Sequence, residues 1–250
     1  KLGLFPFHFW LPAVYVGSHA PVAAILSGAL ANIGSYGLLR FGGYIMPDQL
    51  AFGAPVVLIL GTASIIYGAH QAVARHSPVE VMAYSAIGQA GYIMIALAIG
   101  GPIGYAGAVL YAVVNALNKT LVFLATGLRG WMVGAAFAVG AFSVAGVPPA
   151  VGFLGKLALF RAALTWGGAV GAVAMVALVF LGGALSFVYA FQIYQRVYLK
   201  PGRMEKGKPS PIAARLLVVG LATLLIALGI YPEPLLYLSE QAAAVLTGGP

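Results

Sequence analysis

Residues 103–127 read IGYAGAVLYAVVNALNKTLVFLATG. The run carries one charge, Lys119, in 25 residues. At the rise of an α-helix it is long enough to cross the roughly 30 Å hydrocarbon core of a bilayer. The same reading recurs on both sides. Stretches 21–45, 50–73, 78–100, 168–197 and 212–230 are each apolar and of spanning length. Residues 131–166 are longer and are interrupted by Pro148-Pro149. One kinked span there would make seven in all, and two short ones, 131–146 and 149–166, would make eight. Proline has no amide N–H and clashes one turn back. Two in succession favour a true break, so eight is the preferred count. The tail, 234–247, is short and amphipathic and reads as an interfacial helix.

Composition agrees. Of 250 residues, 62% are hydrophobic and 7% charged, and the mean hydropathy is +0.99. Ordinary soluble domains carry about 25% charged residues. That excludes a soluble enzyme, a nucleic-acid binder and a disordered chain, so no nucleic-acid partner is expected. The 34 glycines and 15 prolines are tolerated in a membrane, where neighbouring helices re-satisfy broken backbone. The chain has no cysteine, and no HExxH, CxxC or phosphate-binding glycine loop occurs. No metal site and no cofactor is expected, and with no flavin, iron–sulfur or nicotinamide site there is no catalytic centre of its own.

The net charge is +8, and its placement orients the chain. Arg196, Lys200, Arg203, Lys206, Lys208 and Arg215 stand against Glu205 alone around the loop 198–211. Basic loops stay on the cytoplasmic side, so this loop is read as cytoplasmic and the C-terminus as outside. With eight spans Arg40 also falls inside, while Arg75, Glu80 and Arg129 fall outside. Residues Leu2–Leu11 read like the last turns of a helix whose start is missing, which makes the chain a piece of something longer. A Pro-bearing entry, a Gly-broken helix and a long apolar span recur from Phe5 to Arg75 and from Phe142 to Arg196. Repeats with broken helices are a common transporter plan.

Charges inside spans ask for a reason. Lys119 lies some nine residues from its span's end, roughly 13 Å at helical rise, which is beyond comfortable snorkelling. Asn115 shares its helix face, and Asn118 and Thr120 flank it. Lys156 follows Pro148-Pro149, Gly152 and Gly155, where a discontinuous helix leaves free carbonyls. The competing reading puts Lys156 at the membrane surface. A desolvated lysine can exchange its proton near neutral pH, whereas an arginine cannot. Both lysines therefore suit proton relay. Asn32, mid-span beside Gly34 and Ser35, serves as a helix-packing amide or a transport residue, and Gln89 likewise. Glu80 follows Pro78 at a helix start, where a carboxylate is favourable. His8 lies in the aromatic run Phe5–Pro12, which is typical of an interface, and could relay protons.

The chain resembles a known family at FPFHFWLP (5–12) and APVAAILSGALANIGSYGLLRF (20–41). The likeness continues at MAYSAIGQAGY (82–92), NALNKTLVFLATG (115–127) and AGVPPAVGFLGKLALF (145–160). It looks like the antiporter-like, proton-translocating membrane subunits of respiratory complex I. Mrp-type Na+/H+ antiporter large subunits and energy-converting hydrogenase membrane subunits belong to the same family. The resemblance implies an all-α polytopic membrane fold with discontinuous helices and a partial inverted repeat. It implies that residues 1–100 hold the end of one repeat and the start of the next. Residues 101–211 would then hold the second repeat, broken near 146–156, and 212–250 the last span and tail. It makes Lys119 the central relay residue and Lys156 the ionisable group at the second broken helix. Asn115, Asn118, Asn32 and His8 become supporting polar residues. Partners would be other membrane subunits, lipid, and protons or Na+.

The sequence departs from the family pattern in several places, among them the connection after the ATG motif, which is reduced to Leu128-Arg129-Gly130. Asn32 stands where a lysine is usual, and an amide cannot hold a mobile proton. Ala13 stands for an Asp, Asn115 for a His, and Ser77-Pro78-Val79-Glu80 for Asp-x-Lys-Arg. A non-conducting membrane subunit is thus the alternative to a translocating one.

Overall fold

The computed structural model describes residues 1–199 and 211–248. Most of the basic loop 198–211 lies outside the described residues. Every described element is helical. After residues 1–9, α1 covers Trp10–Gly17. A continuous helix, Ala20–Ile45, comprises α2 (Ala20–Ile25), α3 (Ala31–Leu38) and two π-helical stretches, Leu26–Leu30 and Leu39–Ile45. Then come α4 (Pro47–Ala74), α5 (Pro78–Ile99), α6 (Gly101–Thr126), α7 (Trp131–Ala145) and α8 (Gly152–Leu164). The chain ends with α9 (Gly168–Tyr194), α10 (Ile212–Ile230) and α11 (Glu233–Leu246).

Among the described residues, six helices are long and apolar enough to cross a membrane. They correspond to the six uninterrupted apolar stretches of the sequence. The interrupted stretch becomes two helices, α7 and α8. Pro148 and Pro149 sit four residues after Val144 and Ala145 and offer those carbonyls no N–H, so α7 cannot continue. Gly146 ends it at φ +85°, a left-handed cap open to glycine. The amides beyond the break find other partners. The Gly152 N–H donates to Ser143 Oγ at 3.0 Å, and the Val151 N–H donates to the Leu225 carbonyl of α10 at 3.0 Å.

Two expectations change. Residues 1–4 are irregular and 5–9 form turns, and a helix begins only at Trp10. Gly3 takes φ +66° and Pro6 has no N–H, so neither supports a helix. The Phe5 N–H instead donates to Ser64 Oγ of α4 at 3.0 Å. The helix Ala20–Ile45 widens where a break was expected. The Ala31 and Met46 amides bond five residues back, to Leu26 and Phe41. A π turn absorbs the extra residue without losing a hydrogen bond. The tail helix α11 packs along α6 and buries Ser239, Ala243 and Leu246.

At the centre is α5, buried along almost its whole length. Pro78 starts it and Glu80 sits in its first turn, as the helix dipole favours. Glycines bring it close to α4. A Cβ at Gly91 would lie 2.5 Å from the Gly61 carbonyl and 2.9 Å from Ile65 Cγ1. Small residues permit this approach where apolar lipid gives helices no hydrophobic reason to associate. Ahead of α1, the His8 ring is 2% exposed. It stacks on Phe5 and Phe9 at 5.5 and 4.6 Å between centroids and meets Tyr67 of α4 at 4.4 Å. Phe7 and Phe9 face outward.

This packing can be tested at two points. Gly91→Ala forces a methyl into the α4–α5 seam and costs about 1–3 kcal/mol, the usual range for overpacking; a lower unfolding temperature in detergent checks it. Burial holds the His8 imidazole below its ordinary value of 6.5. Below 6.5 the unfolded chain therefore binds more protons than the folded one, and stability is lost as pH falls. The melting temperature should drop as the pH is lowered from about 7.5 to about 5.5, and His8→Phe should flatten that dependence.

Candidate functional site

Helix α6 presents Tyr111, Asn115 and Lys119 at successive spacings of four, in one buried row, with Asn118 buried beside them. Lys119 is 0% exposed. Its Nζ donates to Ser85 Oγ at 2.7 Å and to the Met82 carbonyl at 3.3 Å, both on α5. Neither partner is charged. An ammonium in a low-dielectric interior is costly unless oxygens surround it. The Oδ1 atoms of Asn115 and Asn118 are buried and have no hydrogen-bond partner among the described residues.

Lys156 lies on α8, 4% exposed. Its Nζ donates to the Ala145 carbonyl at 2.7 Å. That is the carbonyl to which Pro149, four residues on, can donate nothing. The broken helix thus creates the acceptor that the lysine uses. The stem of Lys156 lies across Gly146, where a Cβ would come 2.5 Å from Lys156 Cδ. Its tip lies against Gly183 of α9 and 5.5 Å from the centroid of the Tyr92 ring, a cation–π contact.

Between the lysines runs a buried polar cluster. The Ser85 and Tyr189 hydroxyls share a hydrogen bond of 2.7 Å. Gln89 Nε2 donates to the Tyr189 hydroxyl at 3.3 Å and to Ser186 Oγ at 3.4 Å. The Tyr111 hydroxyl donates to Gln89 Oε1. The Tyr111 and Tyr92 rings pack at 5.4 Å between centroids. Helices α5, α6 and α9 all contribute.

Of the six site residues singled out in the sequence, Lys119 and Lys156 stand at the two ends of this cluster. Asn115 lies in the row that carries Lys119, with Asn118 beside it. Asn32 does not join them. Its Nδ2 donates to the Gly28 carbonyl at 2.7 Å, within its own helix beside the π turn. His8 is held in its aromatic cage, away from both lysines' hydrogen bonds. Sequence reasoning missed Ser85, Tyr92, Tyr111, Ser186 and Tyr189, and left Gln89 open between a packing amide and a transport residue. The signal lay in MAYSAIGQAGY, where Ser85, Gln89 and Tyr92 recur at spacings of four and three on one face of α5.

The chain spans about half the length of the curated relatives it matches. It is 31% identical to F(420)H(2) dehydrogenase subunit N of Methanosarcina mazei, over 98% of this chain and 55% of that one. It is also 31% identical to a Na(+)/H(+) antiporter subunit of Alkalihalophilus pseudofirmus, over 97% of this chain and 52% of that one. A chain in the structure of an Mrp complex from a Dietzia species superposes with a TM-score of 0.87 at 24% identity, covering 99% of this chain and 57% of that one. At that identity the likeness shows the fold. A chain of Thermus thermophilus respiratory complex I superposes with a TM-score of 0.76 at 29% identity, covering 94% of this chain and 55% of that one. Residues 1–132 match the family model described as "NADH:quinone oxidoreductase/Mrp antiporter, TM". With its spanning helices and this match over more than half its length, the chain is a multi-pass membrane protein of the NADH:quinone oxidoreductase/Mrp antiporter transmembrane family.

Proposed function

We propose that the protein translocates protons, alone or in exchange for Na+, as one membrane subunit of a larger respiratory or antiporter complex. Lys119 and Lys156 carry the mobile proton. One observation carries the reading: two lysines are buried among apolar helices, each bonded only to uncharged oxygens. A lysine so placed can give up its proton and leave a neutral amine behind, which an arginine cannot. Water at the free Oδ1 atoms of Asn115 and Asn118 completes the path on the Lys119 side, since buried amide oxygens take water where protein offers no donor.

The driving force comes from partner subunits, through redox chemistry or an ion gradient. The protein sits in the cell membrane, with loop 198–211 cytoplasmic and the C-terminus outside, as the basic loop supports. Residues 1–100 close one repeat and open the next, 101–211 form the second repeat, and 212–250 supply the last span and tail. The second reading is a scaffold subunit that no longer conducts. Asn32 favours it, because its amide is spent on its own helix.

Proton flux into proteoliposomes holding the purified complex decides between them. Lys119→Ala and Lys156→Ala, at matched assembly, should each lower flux by roughly 100-fold, the scale of a lost proton-transfer group. Lys119→Arg should fail as well, because it keeps the charge and cannot release the proton. Equal flux in all of them would establish the scaffold.

A further inference from the structure

The buried cluster between the two lysines holds a short hydrogen-bonded wire on the Lys119 side, and that wire ends at an amide. On the Lys119 side the groups are hydroxyls. A hydroxyl accepts on its oxygen and donates its hydrogen, so it can take a proton and pass one on. When Lys119 gives its proton to Ser85 Oγ, the Ser85 hydrogen moves to the Tyr189 oxygen and Tyr189 must release its own. Each oxygen ends with one hydrogen, and the ammonium becomes an amine. The distances that permit this are 2.7 Å from Lys119 to Ser85 and 2.7 Å from Ser85 to Tyr189.

The next group is the amide of Gln89, 3% exposed. Its nitrogen uses both hydrogens, toward Tyr189 and Ser186, and its oxygen accepts from Tyr111. An amide nitrogen has no free lone pair, so it cannot take the proton that Tyr189 must release. Turned over, the amide would accept from Tyr189 on its oxygen and donate to Tyr111, yet its oxygen is too weak a base and its N–H too weak an acid to hold a mobile proton. Beyond Gln89 no hydrogen bond among the described residues continues to Lys156, so water must bridge that stretch. Tyr111 packs on Tyr92, and the Tyr92 ring faces the Lys156 ammonium. The Tyr92 hydroxyl is buried and has no hydrogen-bond partner among the described residues. It points at Gly182 of α9, where a Cβ would overlap it.

We infer that Gln89 is the valve of the translocation path: its amide separates the Lys119 half from the Lys156 half, and protons cross only when that side chain leaves the space between Tyr189 and Tyr111. The inference rests on the relay reading of the two lysines. It gives Tyr189 the role of last proton carrier on the Lys119 side. A valve of this kind keeps the membrane proton-tight while the driving partner is idle.

The test uses the full protein in its complex, reconstituted in proteoliposomes, with two readouts: driven flux, and passive leak under an imposed pH gradient with no driving reaction. Gln89→His puts in a ring that accepts on one nitrogen and donates from the other. It should raise the leak severalfold. Adding Tyr189→Phe should return the leak to the wild-type level, since the carrier that feeds the ring is gone. An unchanged leak in Gln89→His overturns the valve. So does a leak that persists in the double variant, because protons then bypass Tyr189. If Gln89→His fails to assemble, the nearly isosteric Gln89→Glu carries the same test, as its carboxyl can take and give a proton. Driven flux in Lys119→Ala reads the relay separately. Its loss beside an unchanged leak in Gln89→His removes the valve and keeps the relay, whereas intact flux removes both.

Discussion

An ammonium ion held among apolar helices must find oxygens inside the protein, because lipid offers none. Two such ions shape this structure. Lys119 requires Ser85 and the Met82 carbonyl, so α5 must present that face to α6. Lys156 requires the Ala145 carbonyl, so α7 must end there and α8 must begin nearby. The proline pair and the lysine therefore form one device. The prolines withhold a donor from the backbone, and the side chain supplies it.

The position of α5 follows from this demand. It carries the acceptors for Lys119, the amide between the two halves and the aromatic face against Lys156. It can do all this only if it is surrounded. Glycines along the α4–α5 seam let α4 close one side at backbone contact, and α6 and α9 close the others. Its burial is thus a requirement of the polar groups it bears as much as of its apolar ones. Each buried hydroxyl or amide there must be paired at its neighbour's expense, and that joins distant residues such as Ser85 and Tyr189 into one cluster.

The segments 5–75 and 142–196 differ in their backbone. In 142–196 the helix breaks outright and a lysine occupies the break. In 5–75 the helix stays whole and widens by π turns, and Asn32 bonds back to its own backbone. An amide can satisfy one carbonyl without carrying charge, so no break is needed to receive it. The difference between Lys156 and Asn32 is matched by a difference of backbone.

Several features were legible in the residue order alone. Apolar runs of spanning length determine that the chain is helical and lies in a membrane, because backbone in lipid must satisfy itself. The double proline determines where the long stretch divides, and the isolated lysines determine where the costly charges lie. The start of the chain misled. Residues 1–9 are apolar enough for a helix, but Gly3 and Pro6 cannot sustain one. Which residues meet across helices was a matter for tertiary structure. Tyr189 and Ser85 are 104 positions apart, Tyr111 and Gln89 sit on different helices, and a tyrosine in a span reads as any other large apolar side chain. Helical periodicity reports which residues share a face, while the rotation and approach of helices, here set by glycine seams and by the hydrogen-bond needs of two lysines, decide which faces meet.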